Sequence, residues 1–146
     1  MENHEKKILS TITLLAFSSG MAIGAEESCK PDKYAKIPAI TSFTYHKARK
    51  ALLKAGWQPL QKKSFNDAAK EASEDTDLSS GNGAIFWENG YVEVEGCAGT
   101  SLAPCAFLFK DIYNNELRVT TAGEEYPKEK LYAKVIGFNF VCTPLQ

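Results

Sequence analysis

The sequence predicts an α+β fold, in which one or two N-terminal helices pack on a three- or four-stranded antiparallel sheet braced by disulfides. Three observations support it. Apolar residues recur at helical spacing over residues 44–56, apolar and polar residues alternate over residues 105–141, and the chain contains four Cys. A helix laid over one face of a sheet is the economical arrangement, because it buries the apolar surfaces of both elements.

The composition indicates one globular domain, for which a length of 146 residues is typical. Hydrophobic residues make up 44% and charged residues 24% of the chain, near the average for soluble domains, which argues against a disordered or fibrous protein. The formal net charge of −1 gives no field strong enough to attract nucleic acid or an anionic membrane. We therefore expect no nucleic-acid partner.

The N-terminus has the composition of a secretory signal peptide. Lys6 and Lys7 precede an uncharged stretch, residues 8–25, that has a short apolar centre and ends in small residues. A basic flank, an apolar core and a small-residue cleavage site are the three parts of such a signal. We predict that residues 1–25 are a cleaved signal peptide and that residues 26–146 form a single α+β domain.

The alternative for the uncharged stretch is a membrane anchor, since its 18 residues could nearly cross a bilayer. Five Ser or Thr and two Gly dilute that stretch, and no basic segment follows it. We therefore expect no stable membrane anchor after cleavage. The expected location is the periplasm, if the source is a bacterium with two membranes.

The four cysteines, Cys29, Cys97, Cys105 and Cys142, all lie in the predicted mature chain. An even number in an exported protein predicts disulfides. Cys97 and Cys105 are eight residues apart across a turn-rich segment and close easily, which leaves Cys29 to pair with Cys142. Zinc sites use closer Cys pairs, usually with His nearby, and that spacing does not occur in this sequence. We expect structural disulfides, no bound metal and no cofactor.

The first helix has clear signals at both ends. Thr44 is a suitable N-cap, Gly56 stands where a left-handed C-terminal cap is favoured, and Pro59 prevents the helix from resuming. The apolar positions at helical spacing are Tyr45, Ala48, Leu52 and Ala55. Farther along, Ser64 or Asn66 could cap a short second helix, which would run through Ala68, Ala69 and Ala72.

The middle of the chain is harder to interpret. Residues 78–83 are rich in Ser and Gly and predict a loop, in which Gly81-Asn82-Gly83 forms a turn. Residues 84–95 fit a helix or a strand, because an apolar run, Ile85-Phe86-Trp87, is followed by valines that alternate with glutamates. This ambiguity remains open at the level of sequence.

The C-terminal part predicts antiparallel strands joined by short turns. Asn114-Asn115 and residues 123–127 are the turn segments. The residues expected to share a face within each strand are Cys105, Phe107 and Phe109, then Leu117, Val119 and Thr121, and, in a final strand over residues 131–141, Ile136, Phe138 and Phe140.

Two motifs connect the helical and the strand-rich parts. Residues 48–59 contain A-R-x-x-L-x-x-x-G-W-x-P, and residues 93–107 contain E-V-x-x-C-x-G-T followed by P-C-x-F. Together they resemble a group of small exported proteobacterial proteins of unknown function. The likeness covers most of residues 43–141, although Ser101 stands where such sequences often have Gly. The resemblance implies the fold and export but no activity.

Candidate catalytic groups are few. His46 is the only His of the predicted mature chain and lies in the first helical turn, where a solvated side chain without a catalytic partner is expected. Glu93 and Glu95 would share one strand face about 7 Å apart, a separation that occurs in inverting glycosidases but is more typical of a solvated sheet edge. We therefore predict no catalytic residues.

The candidate binding surface consists of aromatic residues and the loop between Cys97 and Cys105. Aromatic side chains dominate small cores but also supply most binding energy at interfaces, and a closed loop loses little entropy when a partner binds. The loop could equally be only a stabilised strand connection. The predicted contact residues are Trp57, Trp87, Tyr91, Gly99, Thr100, Ser101 and Leu102.

These observations favour a non-enzymatic exported domain that binds another protein, as an inhibitor or an immunity protein would. The support is indirect: export, disulfides, small size and few reactive groups. A structural or assembly accessory of the cell envelope is the alternative from a different class. A small hydrolase, dependent on Glu93 or His46, is the third hypothesis.

Overall fold

The computed structural model describes residues 29–64, 67, 70 and 78–142 and confirms the α+β class. Two helices lie on a five-stranded antiparallel sheet within these residues. The predicted signal peptide, residues 1–25, lies outside them. The elements in chain order are α1 (Tyr45–Lys54), β1 (Gln58–Pro59), α2 (Gly81–Glu88), β2 (Val94–Cys97), β3 (Cys105–Lys110), β4 (Glu116–Ala122), a 3₁₀ turn (Pro127–Glu129) and β5 (Lys134–Phe140).

The sheet is built around β3. Strand β4 pairs with one side of β3, and the short strands β1 and β2 share its other side. Strand β5 pairs with β4 at the far end of this order. The sequence predicts three or four strands and misses β1. This strand has only two residues, which are too few to show an alternating pattern.

Helix α1 begins and ends as predicted. The Thr44 hydroxyl accepts a bond of 3.4 Å from the Lys47 N–H, and Gly56 has a φ of 96°. Its N–H donates to Leu53 O, and the Trp57 N–H donates to Leu52 O, both at 3.1 Å. This pair of bonds is the Schellman motif, which satisfies the last carbonyls of the helix and requires a left-handed residue.

The core lies between α1, α2 and one face of the sheet. The Tyr45 ring is fully buried and stacks on Phe107 with 3.6 Å between ring centroids, while Phe86 meets Phe107 edge-on at 4.9 Å. The predicted inward faces of β3 and β4 are confirmed, because every residue predicted to face inward is buried. Leu108, on the other face of β3, is buried as well. The inward residues are Cys105, Phe107, Phe109, Leu117, Val119 and Thr121.

Helix α2 corrects the prediction of a loop over residues 78–83. The helix starts at Gly81 and continues to Glu88, with Asn82, Gly83 and Phe86 buried. Tertiary burial of this first turn outweighs the weak helix propensity of Gly and Asn. Residues 84–95, which the sequence left open, are divided between the end of this helix and the start of β2.

Strand β5 corrects the predicted face of the last strand. Its register with β4 shifts between Thr120 and Thr121, so that Val135 rather than Ile136 lies in the core. Ile136 is 59% exposed. The β-bulge adds one residue to β5 between Val135 and Phe138, so the alternation of faces is interrupted there. Phe138 and Phe140, which both lie beyond the bulge, still share one face, as predicted.

The second predicted helix falls largely on residues outside the described ones, including Asn66, Ala68, Ala69 and Ala72. The Ser64 hydroxyl accepts a bond of 3.1 Å from the Asp67 N–H. This is the contact that a Ser N-cap makes with the third residue of a helix.

The four cysteines form the two predicted disulfides, Cys29–Cys142 and Cys97–Cys105. Disulfides persist in oxidising compartments, so the pairing indicates a protein of the exported environment. Within the described residues, no helix is both long and apolar enough to cross a membrane.

Candidate functional site

The connections between strands meet at two ends of the sheet. Because the strands are antiparallel, residues 98–104 and 123–133 lie together at one end, here called the loop end. The opposite end, here called the terminal end, contains the turn of residues 111–115 and the Cys29–Cys142 disulfide. The predicted binding loop therefore belongs to the loop end.

The loop of residues 98–104 is closed by the disulfide and by backbone bonds. The Ala98 N–H donates to Pro104 O, the Ala103 N–H to Thr100 O, and the Gly123 N–H to Leu102 O, each at 2.8 Å. The last bond joins this loop to the connection after β4. A loop held in this way loses less conformational entropy on binding than a free one.

Asn82 joins α2 to both connections of the loop end. Its buried amide group donates to Ala103 O at 3.1 Å and to Gly123 O at 2.8 Å. Its side-chain oxygen accepts a bond of 2.8 Å from the Glu125 N–H. Every hydrogen of the amide group is thus bonded, and the first turn of α2 holds the loop end in place.

Glu125 continues this network to α1. Its side chain is fully buried; one carboxylate oxygen lies 2.6 Å from His46 Nε2, and the other accepts a bond of 2.9 Å from the Ala133 N–H. His46 Nδ1 lies 2.6 Å from the Tyr91 hydroxyl. In the neutral tautomer that carries its hydrogen on Nε2, this nitrogen donates to the Glu125 carboxylate and Nδ1 accepts from the Tyr91 hydroxyl.

The expectation that His46 is a solvated side chain without partners is therefore wrong. The order carboxylate, imidazole, hydroxyl is that of a catalytic triad, with a phenol in the position of the nucleophile. Burial raises the pKa of Tyr91, and the nearby carboxylates of Glu93 and Glu125 raise it as well, against the opposing effect of Arg49. A raised pKa keeps the phenol in its protonated form.

Glu93 forms a second buried network beside the first. It is 1% exposed, and one oxygen accepts bonds from the Tyr45 hydroxyl at 2.8 Å and from Arg49 Nε at 2.5 Å. Burial raises the pKa of Tyr45 well above its ordinary value, and the negative charge of Glu93 adds to this effect. The Arg49 guanidinium lies 4.6 Å from the centre of the Tyr91 ring, which connects the two networks.

The two carboxylates considered for glycoside hydrolysis have separate ion-pair partners. Glu95 is half-buried and binds Arg118 through two bonds of 2.7 and 2.8 Å, whereas Glu93 binds Arg49. The prediction of a solvated strand edge is wrong for Glu93, because Val92 is exposed and Glu93 is buried. Neither carboxylate is free to bind a substrate in this arrangement.

The predicted contact residues lie in three environments. Trp57 is fully buried and donates from Nε1 to Lys36 O at 3.2 Å, which corrects its expected place at an interface. Trp87 and Tyr91 are half-buried and pack against the core. Only the loop residues are exposed: Gly99, Thr100, Ser101 and Leu102.

The structure adds three exposed apolar side chains to Leu102 at the loop end. Leu102 is 68% exposed, and Tyr126, Leu131 and Tyr132 are 48%, 47% and 38% exposed. Tyr126 and Leu131 exchange backbone bonds of 2.9 and 3.1 Å across the 3₁₀ turn, and the Tyr132 ring meets His46 edge-on at 5.4 Å. We refer to these four side chains as the loop-end patch.

Of the loop-end patch, Leu102 was predicted from the sequence and Tyr126, Leu131 and Tyr132 were missed, because these three lie in an irregular connection with no periodic pattern. A cleft of about 190 Å³ lies at the loop end, between the start of α2 and the connections. Its lining includes two predicted loop residues, Gly99 and Thr100, together with Tyr126. Exposed apolar side chains beside a cleft are suited to contact with a macromolecule.

Among the described residues, no group of three or more His, Cys, Asp or Glu side chains is arranged to hold a metal ion. Comparisons with protein-family models, with curated proteins and with solved structures find no match to this chain.

Proposed function

We propose that this protein is an exported, non-enzymatic domain of the periplasm that binds another protein through its loop end. An inhibitor or an immunity protein is the narrower form of this proposal. The two disulfides support delivery to an oxidising compartment, and the N-terminal sequence supports a signal peptide as the route.

The loop-end patch is the observation that carries the proposal. Four large apolar side chains are exposed on the two connections that a disulfide, Asn82 and Glu125 hold in one arrangement. Tyrosine is among the residues that contribute most binding energy at interfaces. A preorganised surface of this kind binds with a small entropic cost, which favours recognition of a partner.

The buried networks support binding over hydrolysis. Tyr91 is held in its neutral form, and Glu93 is buried against an arginine and a tyrosine. Groups that must exchange protons or attack a substrate need access to it and a pKa near the working pH. The Glu125 network instead joins α1 to the connection between β4 and β5, and the Glu93 network joins α1 to the start of β2.

A pull-down from periplasmic extract tests the proposal with two matched double variants. Leu102→Ser with Tyr126→Ser removes an aliphatic and an aromatic side chain from the loop end, and Ile112→Ser with Tyr113→Ser removes an equivalent pair from the terminal end. Ile112 and Tyr113 are 77% and 41% exposed, so both variants change surface residues only. We expect about tenfold weaker recovery of the partner with the first variant and unchanged recovery with the second.

Equal recovery of the partner by both variants would remove the loop end from the proposal. The identity of the partner separates the two remaining classes. A secreted enzyme or toxin supports an inhibitor or immunity protein, whereas a constant component of an envelope complex supports the accessory role.

A further inference from the structure

Strand β5 has an outer edge that is only partly covered. At its start, the Ser42 N–H donates to Val135 O at 2.8 Å and the Val135 N–H donates to Phe43 O at 2.9 Å. Beyond Val135, no strand of the described residues pairs with this edge. Residues 137–140 keep a regular register with β4, as an edge that pairs with another strand requires, and within this stretch Phe140 O accepts a bond of 3.2 Å from the Asn139 side chain.

An apolar groove runs beside this edge. It has a volume of about 530 Å³ and lies between the N-terminal arm and β5. Phe138 is 39% exposed and forms part of its wall, while Phe140 packs edge-on against Tyr34 at 5.0 Å. The lining residues are Lys30, Tyr34, Lys36, Ile37, Phe138 and Phe140.

The positive charge of the groove favours a partner segment that carries a carboxylate. Two of the six lining residues are lysines and none is acidic, and Lys30 Nζ lies 5.3 Å from the centre of the Tyr34 ring. We propose that this edge accepts an extended segment of a partner protein as an added β-strand, with an apolar side chain in the groove and a carboxylate beside Lys30 and Lys36. In such β-augmentation, main-chain bonds supply affinity and the side-chain groove supplies specificity.

A second copy of the chain is a poorer occupant. Pairing of two β5 edges would bring the lysines of both grooves together, and like charges in close contact oppose association. The edge is also separate from the loop-end patch, so this proposal stands independently of the function proposed above.

The test uses the oxidised full-length mature protein and a capped peptide of about seven residues, in which every second residue is threonine and the residues between them alternate between valine and glutamate, so that valine and glutamate share the face that meets the groove. A peptide with lysine in place of every glutamate is the matched probe. Binding is measured by calorimetry, and hydrogen exchange followed by mass spectrometry locates it. We expect the acidic peptide alone to bind, to slow exchange over residues 136–140, and to bind more weakly at high salt.

Two variants of the protein sharpen the result. Lys30→Glu with Lys36→Glu should weaken acidic-peptide binding about fivefold or more, since two exposed charge pairs are lost. Lys50→Glu with Lys128→Glu makes the same charge change at exposed sites away from the groove and should leave binding unchanged. Phe138→Ser should also weaken binding, through loss of the groove wall.

Several outcomes would overturn the proposal. Equal binding of the two peptides, absence of binding by either, or slowed exchange at the loop end instead of β5 would each do so. A protein that dimerises without peptide and protects residues 136–140 in the dimer would show that a second copy occupies the edge.

Discussion

The loop end and the terminal end of the sheet each carry a disulfide, and each exposes an aliphatic residue together with a tyrosine. They differ in how the exposed side chains are held. At the terminal end, the Asp111 carboxylate accepts bonds of 2.9 Å from its own turn, from the N–H groups of Tyr113 and Asn115, and one bond of 2.9 Å from the distant Ala35 N–H. At the loop end, Asn82 and Glu125 bond to groups 41 and 79 residues away in sequence, at Gly123 and His46.

The two ends therefore differ in which elements their long-range bonds join. The terminal turn combines bonds within its own residues with bonds to the N-terminal arm, at Ala35 and Lys33, and the Cys29–Cys142 disulfide attaches the first described residue to the last. The loop end exists only when α1, α2 and the sheet are packed together. A surface that depends on the whole fold in this way is well placed to present four apolar side chains in one arrangement, whereas the terminal end presents two.

Separate removal of the two disulfides should give the largest difference in the free energy of unfolding between variants of the two ends. In the chain-entropy model, loss of the Cys29–Cys142 link, which spans 113 residues, costs about 5 kcal/mol, and loss of the Cys97–Cys105 link, which spans eight, costs about 2.5 kcal/mol. Urea unfolding of the two Cys→Ala double variants measures both values. A larger loss from the Cys97–Cys105 variant would contradict the comparison.

The stability of the loop end should depend strongly on the Asn82 side chain. Asn82→Ala removes three hydrogen bonds and leaves the Ala103 and Gly123 carbonyls without this donor, so we expect a loss of about 3 kcal/mol in the free energy of unfolding. Asn139→Ala, at an exposed position of β5, is the control and should cost less than about 0.5 kcal/mol. Equal losses in the two variants would show that Asn82 does not organise the loop end.

Substitution of Asp111 at the terminal end should cost less stability than substitution of Asn82, and the cost should depend on pH. Burial opposes ionisation of Asp111, but hydrogen bonds from Asn115, Ala35 and Tyr113 outweigh it and hold the pKa of Asp111 below its ordinary value. We expect Asp111→Asn to cost about 2 kcal/mol at neutral pH. A group with a lowered folded pKa stabilises the fold above its unfolded pKa, about 3.9, and this contribution is lost as the pH falls through the folded pKa.

Thermal unfolding of the wild-type and Asp111→Asn proteins at a series of pH values measures this effect. The difference in melting temperature should be constant above about pH 5 and should shrink as the pH falls below the unfolded pKa. Asp32→Asn, at an exposed position of the N-terminal arm, serves as the control. A difference that grows toward acid pH would contradict the assigned role of Asp111.

Much of the fold could be predicted because its signals are local. Thr44 and Gly56 set the ends of α1 through bonds within a few residues, and the alternation along β3 and β4 specified their buried faces. The disulfide pairs followed from spacing and elimination. Each of these inferences needed only a short stretch of chain or a count of cysteines.

The candidate site could not be predicted in the same way. Gly81-Asn82-Gly83 has the composition of a turn, but it forms the first turn of α2 because Asn82 bonds to two distant connections. His46 has the sequence context of a solvated residue, yet its partners Tyr91 and Glu125 are 45 and 79 residues away. No periodicity connects such positions.

The sequence by itself determined the class of the fold, the ends of α1, the inward faces of β3 and β4 and the cysteine pairs, because those features arise from neighbouring residues and from chain closure. The tertiary structure alone decided which polar groups are buried together, which apolar side chains remain exposed at the loop end, and where the bulge of β5 turns Ile136 outward. Burial and hydrogen-bond partnership depend on the distance between atoms in the folded chain, and the linear order of residues does not encode that distance locally.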